Sequence, residues 1–203
     1  MRPTTMIRRV TTVVIAAALA ACGGGGGGDD GGSSVPVEVL DQVFETSSID
    51  NFASCDSGYC PAQTFTVGIT GELTGFDLFL HRIAATGSVT VDVRLTVGGV
   101  PVTDDGAALE SFTFDASALG TTSAFIHFQL ATPLLVTAGD VLALTMRDTV
   151  FGSGQLVGWN GEAIPGPYAQ GAQFGRAGAY TEPWVAEFGG DGDLCFRTYV
   201  LPD

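Results

Sequence analysis

Apolar and polar residues alternate most strictly over Ser88–Val97. Val89, Val91, Val93, Leu95 and Val97 fall on one side of this ten-residue run, and Thr90, Asp92, Arg94 and Thr96 on the other. A period of two predicts a β-strand with one buried face, and Gly98-Gly99 supplies a tight turn at its end. Weaker alternation predicts strands over Val35–Thr46, Gln63–Val67 and Glu72–Ile83, where Phe76, Leu78 and Leu80 share a face. Further strands are expected at Leu109–Phe114, Ala124–Leu130, Val141–Arg147, Gln155–Trp159, Trp184–Phe188 and Leu194–Val200. Helical periodicity is absent apart from a single turn at Asp115–Leu119. Gly161–Gly178 is rich in Gly and Pro and reads as a long loop. Many short strands separated by turn clusters predict an all-β fold, an antiparallel β-sandwich or jelly roll, over residues 35–203.

The N-terminal pattern is of another kind. Arg2, Arg8 and Arg9 precede an apolar run, Val10–Ala21, which is too short for a spanning helix of about 20 residues. Leu19-Ala20-Ala21-Cys22 closes it and six glycines follow. This resembles a bacterial lipoprotein signal, with a lipobox whose cysteine is acylated. The resemblance implies a signal peptide over 1–21, lipidation of Cys22 and membrane attachment through its acyl chains. Gly23 after the cysteine resembles lipoproteins routed to an outer membrane, facing the periplasm or the cell surface. Gly23–Ser34 holds only Gly, Asp and Ser, so residues 22–34 read as a flexible tether of roughly 20 Å reach. A domain of the length that follows has a radius of gyration of about 15 Å, so the tether is comparable with the domain.

Charge narrows the partners. The formal net charge is −14, and all eight basic residues are Arg. Loss of the three in the signal leaves about −17. Nucleic acid is disfavoured, because binding it requires basic groups to neutralise phosphates. Anionic lipid head groups would also repel this surface.

Cys55 and Cys60 are close enough to close a small disulfide ring in an oxidising compartment, worth about 2 kcal/mol. A Cys-x4-Cys zinc half-site is the rival, without a second ligand pair to complete it. Cys195 is left over in a strand-like run and reads as a small buried residue.

Several segments occur in an order similar to jelly-roll modules of bacterial secreted and surface proteins, relatives in shape of carbohydrate-binding modules. They are Gln63-Thr64-Phe65, Gly71-Glu72-Leu73-Thr74, Ser88-Val89-Thr90-Val91, Phe125-Ile126-His127-Phe128, Thr137-Ala138-Gly139-Asp140, Tyr168-Ala169-Gln170-Gly171, Trp184 and Asp193-Leu194-Cys195-Phe196-Arg197-Thr198-Tyr199. The likeness implies a β-sandwich with adhesive or glycan-associated roles and brings no catalytic set with it.

The residues agree on the last point. Gly-x-Ser-x-Gly, His-Glu-x-x-His, P-loop and dinucleotide motifs are missing. His81 and His127 each fall opposite the apolar face of a strand. Nothing singles out a carboxylate pair about 5 to 10 Å apart, as a glycoside hydrolase requires. Asp191-Gly192-Asp193 is a candidate calcium corner or simply an acidic turn. Trp159, Tyr168, Tyr180 and Trp184 lie among Asn160, Gln170, Gln173 and Arg176. Flat rings beside amide and guanidinium donors are the chemistry that holds sugars, so Trp159, Tyr168, Arg176 and Trp184 are candidate ligand-binding residues; alternatively, the tryptophans cap the core. The expectation is a lipid-anchored, non-catalytic envelope module that binds a glycan. The alternative is a structural protein that meets another envelope protein through a sheet face or edge, and a hydrolase comes third.

Overall fold

The computed structural model describes residues 36–46, 51–55, 58–84, 86–104, 107–149, 156–163, 168–177 and 182–203. The signal, Cys22, the tether and Tyr180 lie outside them. The strands are β1 (Val39–Phe44), β2 (Asn51–Cys55), β3 (Tyr59–Thr66), β4 (Gly71–Arg82), β5 (Ser88–Val97), β6 (Val100–Pro101) and β7 (Ala108–Asp115). There follow β8 (Ala124–Val136), β9 (Val141–Asp148), β10 (Val157–Glu162), β11 (Gln173–Ala177), β12 (Val185–Ala186), β13 (Asp193–Leu194) and β14 (Phe196–Pro202). They form an antiparallel β-sandwich. Sheet I runs β12-β11-β3-β9-β5, with β6 and β7 paired to β5. Sheet II runs β1-β14-β4-β10-β13, with β8 also paired to β4 and β2 also paired to β10.

Alternation places the core. Phe76, Leu78 and Leu80 of β4 face Val89, Val91 and Val93 of β5, and all six are buried. Phe76 stacks on Phe128 with centroids 5.1 Å apart, and Phe112 meets both edge-on. Such ring pairs add about 0.5–1.5 kcal/mol each beyond the area they bury. The turn at Ala116–Ala118 is a 3-10 turn, capped by Asp115 through a bond from the Ser117 amide.

Three departures from the sequence pattern have physical reasons. Within the expected loop over Gly161–Gly178 lies β11, whose register on β3 is tight enough that a Cβ on Gly175 would sit 2.5 Å from the Tyr59 hydroxyl. Strand β8 extends to Val136 through a slip in its pairing. Leu130, Ala131, Thr132 and Pro133 oppose Thr74 alone, and the Gln129 amide donates to the Thr74 carbonyl at 2.8 Å. The expected Cys55–Cys60 disulfide is not formed, and Cys60 is a free, buried thiol. Cys55 belongs to β2 in sheet II and Cys60 to β3 in sheet I. The two strands are drawn to different neighbours, β2 to β10 and β3 to β9. Cys195 is the buried, free cysteine that its strand-like setting suggests.

Candidate functional site: the open face of sheet II

The outer face of sheet I is closed. Asp92 and Arg94 project there from β5, and both are buried. Arg94 donates to the Asp92 carboxylate at 2.8 Å, and to the carbonyls of Val102 and Asp104, which strap over the sheet. Ser111 donates to the other Asp92 oxygen at 2.6 Å, and Arg147 approaches at 3.4 Å. Beside them Cys60, Ala62, Phe174 and Trp184 make a second small core. Burial and the neighbouring Asp148 push the Cys60 thiol up to about 12, against the lowering influence of Arg176 and Arg147.

This arrangement accounts for the four residues expected to hold a ligand. Arg176 and Trp184 do come together, with the guanidinium 4.8 Å from the indole centroid, but both are buried and Arg176 donates to the Thr103 carbonyl. Trp159 lies in the main core and donates to the Cys195 carbonyl at 2.8 Å. Tyr168 packs edge-on against Phe196, and its hydroxyl donates to Gln42. The four are split between the two sheets and present no common exposed face. Trp159 belongs to the main core and Trp184 to the second, smaller one.

Asp193 of the suggested calcium corner is also turned inward. Its carboxylate accepts from Gln63 at 2.9 Å and from the Tyr168 amide at 3.1 Å. Burial raises its carboxyl to about 6 despite those bonds. Among the described residues, no three His, Cys, Asp or Glu side chains cluster to hold a metal.

The outer face of sheet II is open, and a polar constellation stands on it. One row across the sheet reads Val43, Arg197, Asp77, His127, and the next reads Leu40, Tyr199, Gly75, Gln129. Asp77 is the buried hub. His127 Nδ1 lies 2.7 Å from one of its oxygens; the Tyr199 hydroxyl donates to the other at 2.7 Å, and Arg197 donates to it at 3.4 Å. Arg197 also donates to Glu45 and lies 3.8 Å over the Phe125 ring. A Cβ on Gly75 would sit 2.9 Å from His127 Cε1, so only glycine lets the imidazole lie down on the sheet. The rings of His127 and Tyr199 meet edge-on at 5.6 Å.

The electrostatics follow from Asp77. Burial works to raise its carboxyl, but the bonds from His127 and Tyr199 and the charge of Arg197 hold it below the ordinary carboxylate value. The bond to Asp77 raises His127 above its ordinary 6.5, against a smaller opposing effect of burial. Burial and Asp77 together push the Tyr199 hydroxyl to about 12. These are the groups that sequence reasoning missed. A histidine opposite an apolar face reads as a solvated side chain, and the partners Asp77 and Tyr199 are 50 and 122 positions from their contacts. A signal was present in Phe-Asp-Leu-Phe, where an acidic residue interrupts a strand with apolar neighbours on both sides.

The constellation orients polar groups around one buried carboxylate. His127 bonds to Asp77 and Gln129. At His81, Ser123 and the imidazole both contact the same Asn160 oxygen, at 2.9 and 2.7 Å. Ser123 Oγ also lies 3.5 Å from His81 Nδ1. No protein-family model matches this chain, and a search of curated proteins found no match.

Proposed function

We propose that this chain is a lipid-anchored interaction module of a bacterial cell envelope, non-catalytic, which binds glycans on the outer face of sheet II. One observation carries the reading. A buried carboxylate, Asp77, fixes His127, Tyr199 and Arg197 in place at a sheet face that is open to solvent. Preset hydrogen-bonding groups next to ring faces suit a ligand rich in hydroxyls, because their orientation needs no reordering on binding. Attachment through Cys22 rests on the lipobox, and the acidic charge argues against nucleic acid.

A second reading has its own support. Leu40 and Val43 are exposed on the same face, beside the polar rows. An envelope protein laid across the sheet would cover both. A glycan array probed with the chain from residue 22 onward, carrying Cys22→Ser, separates the two. Binding to a defined sugar that His127→Ala weakens at least tenfold supports the glycan reading. Silence across the array, with an envelope protein crosslinked through β1, would replace it with the second.

A further inference from the structure

The alternation of β5 runs past the end of the core. Val89, Val91 and Val93 are fully buried, but Leu95 and Val97, next on the same face, are 48% and 74% exposed. Beyond them the Gly98-Gly99 turn, with both φ angles positive, projects freely; a Cβ on either would meet nothing within 4 Å. Leu95 lines a cleft of about 630 Å³ with Leu109, Leu134, Leu135 and Val136, and Leu135 is 82% exposed. Exposed apolar side chains gathered at one end, and rimmed by polar ones, mark a contact surface.

The register says what this end faces. Val39, where β1 begins, pairs with Val200, Val200 with Leu73, and Leu73 with Leu134. Three strand spacings, about 14 Å in all, separate the entry of the chain from the cleft. The segment leading back to Cys22 therefore joins the sandwich at the apolar end, and exposed Val37 adds to it. The charges here are acidic: Asp140 lines the cleft, and Glu72 pairs across β4 with Leu135. Arg94, the arginine of β5, is buried on the outer face of sheet I.

We infer that this end of the sandwich is a membrane-docking surface. Leu95, Val97 and Leu135 sit in the interface of a bilayer whose head groups carry no net charge, and the sandwich stands upright on it. The inference rests on the proposed acylation of Cys22, which brings this end to the lipid. The tether supplies the high local concentration that lets a small apolar patch, weak alone, stay docked.

The test uses the acylated protein in vesicles of phosphatidylcholine and phosphatidylethanolamine with brominated acyl chains. Tryptophan reporters are placed at Leu135 (Leu135→Trp) and, at the far end of β4, at Ile83 (Ile83→Trp), ten residues from Leu73 and about 30 Å away. Apolar groups lying about 5–10 Å into the interface meet the bromines, so emission from Leu135→Trp should fall about twofold while Ile83→Trp is unchanged. Flotation with the vesicles but equal emission from both reporters would overturn docking and leave the anchor standing. Failure to float would overturn the anchor and docking with it. A dimer in solution that Leu135→Asp dissolves would assign the patch to a second copy of the chain and likewise overturn docking.

Discussion

Replacing Asp77 by asparagine keeps its shape and removes its charge, so Asp77→Asn isolates what the carboxylate does for the face of sheet II. In the native protein Asp77 takes bonds of 2.7 Å from both His127 and Tyr199. A hydrogen bond to a charged group is worth about 1.5–3 kcal/mol and a neutral one about 0.5–1.5, so each contact loses roughly 1 kcal/mol. The His127 side chain is 41% exposed, and solvent screening reduces its ion-pair share to about 0.5 kcal/mol. The expected loss is about 1–2 kcal/mol near pH 6. Because the folded pKa of His127 is raised, its contribution is fully present below the unfolded value of 6.5 and fades as pH rises through the folded one. Asp77, held below its ordinary 3.8, contributes above that value and loses its share as pH falls through its folded pKa. The cost of Asp77→Asn should therefore be larger at pH 6 than at pH 8.5. Urea melts at the two pH values measure it. Proton NMR titration reads His127 directly. The His127 midpoint should drop in Asp77→Asn. An unmoved His127 midpoint, or equal destabilisation at both pH values, would refute the assignment of Asp77 as the organising charge.

The closed face of sheet I answers to a different perturbation. Arg94→Ala leaves the buried Asp92 carboxylate with Ser111 and the longer contact to Arg147 and should cost about 3 kcal/mol, while a paired Asp92→Leu/Arg94→Met change should cost less; thermal melts of the two variants compare them. The thiols of Cys60 and Cys195, buried and pushed up to about 12 and about 11, should resist alkylation at pH 8 in the native protein. Both should react fully in denaturant without reductant, as mass spectrometry of the alkylated chain would show; a disulfide on either would block this.

The sandwich was legible because its core strands obey a local rule. Val89 to Val93 and Phe76 to Leu80 alternate, and burial follows that alternation residue by residue. What escaped depended on partners far along the chain. The run Gln173–Ala177 has no apolar period of its own, since it is buried on both faces between β3 and β12. Spacing suggested a Cys55–Cys60 ring, but the choice of sheet for β2 and β3 is made by β10 and β9. Aromatic residues near Gly-rich segments suggested a ligand face around Trp159 and Trp184. Composition carries no information on which side of a sheet is covered, and here the strap at Val102–Asp104 covers it. The site on sheet II was hidden for the same reason, because its hub is an isolated Asp among phenylalanines.

The register slip in β8 has a consequence for crowding. Among the described residues β8 pairs only with β4, so its other side is a free edge on a strand of thirteen residues. Under the proposed anchoring through Cys22, copies would share a plane and an orientation, which would align like edges at high two-dimensional density. A straight edge of this length would recruit its neighbour's and propagate into an aggregate. The four unmatched residues opposite Thr74, with Pro133 lacking an amide hydrogen, break that edge into two short pieces. The irregularity in the ladder thereby shortens the straight edge that a second copy could pair with.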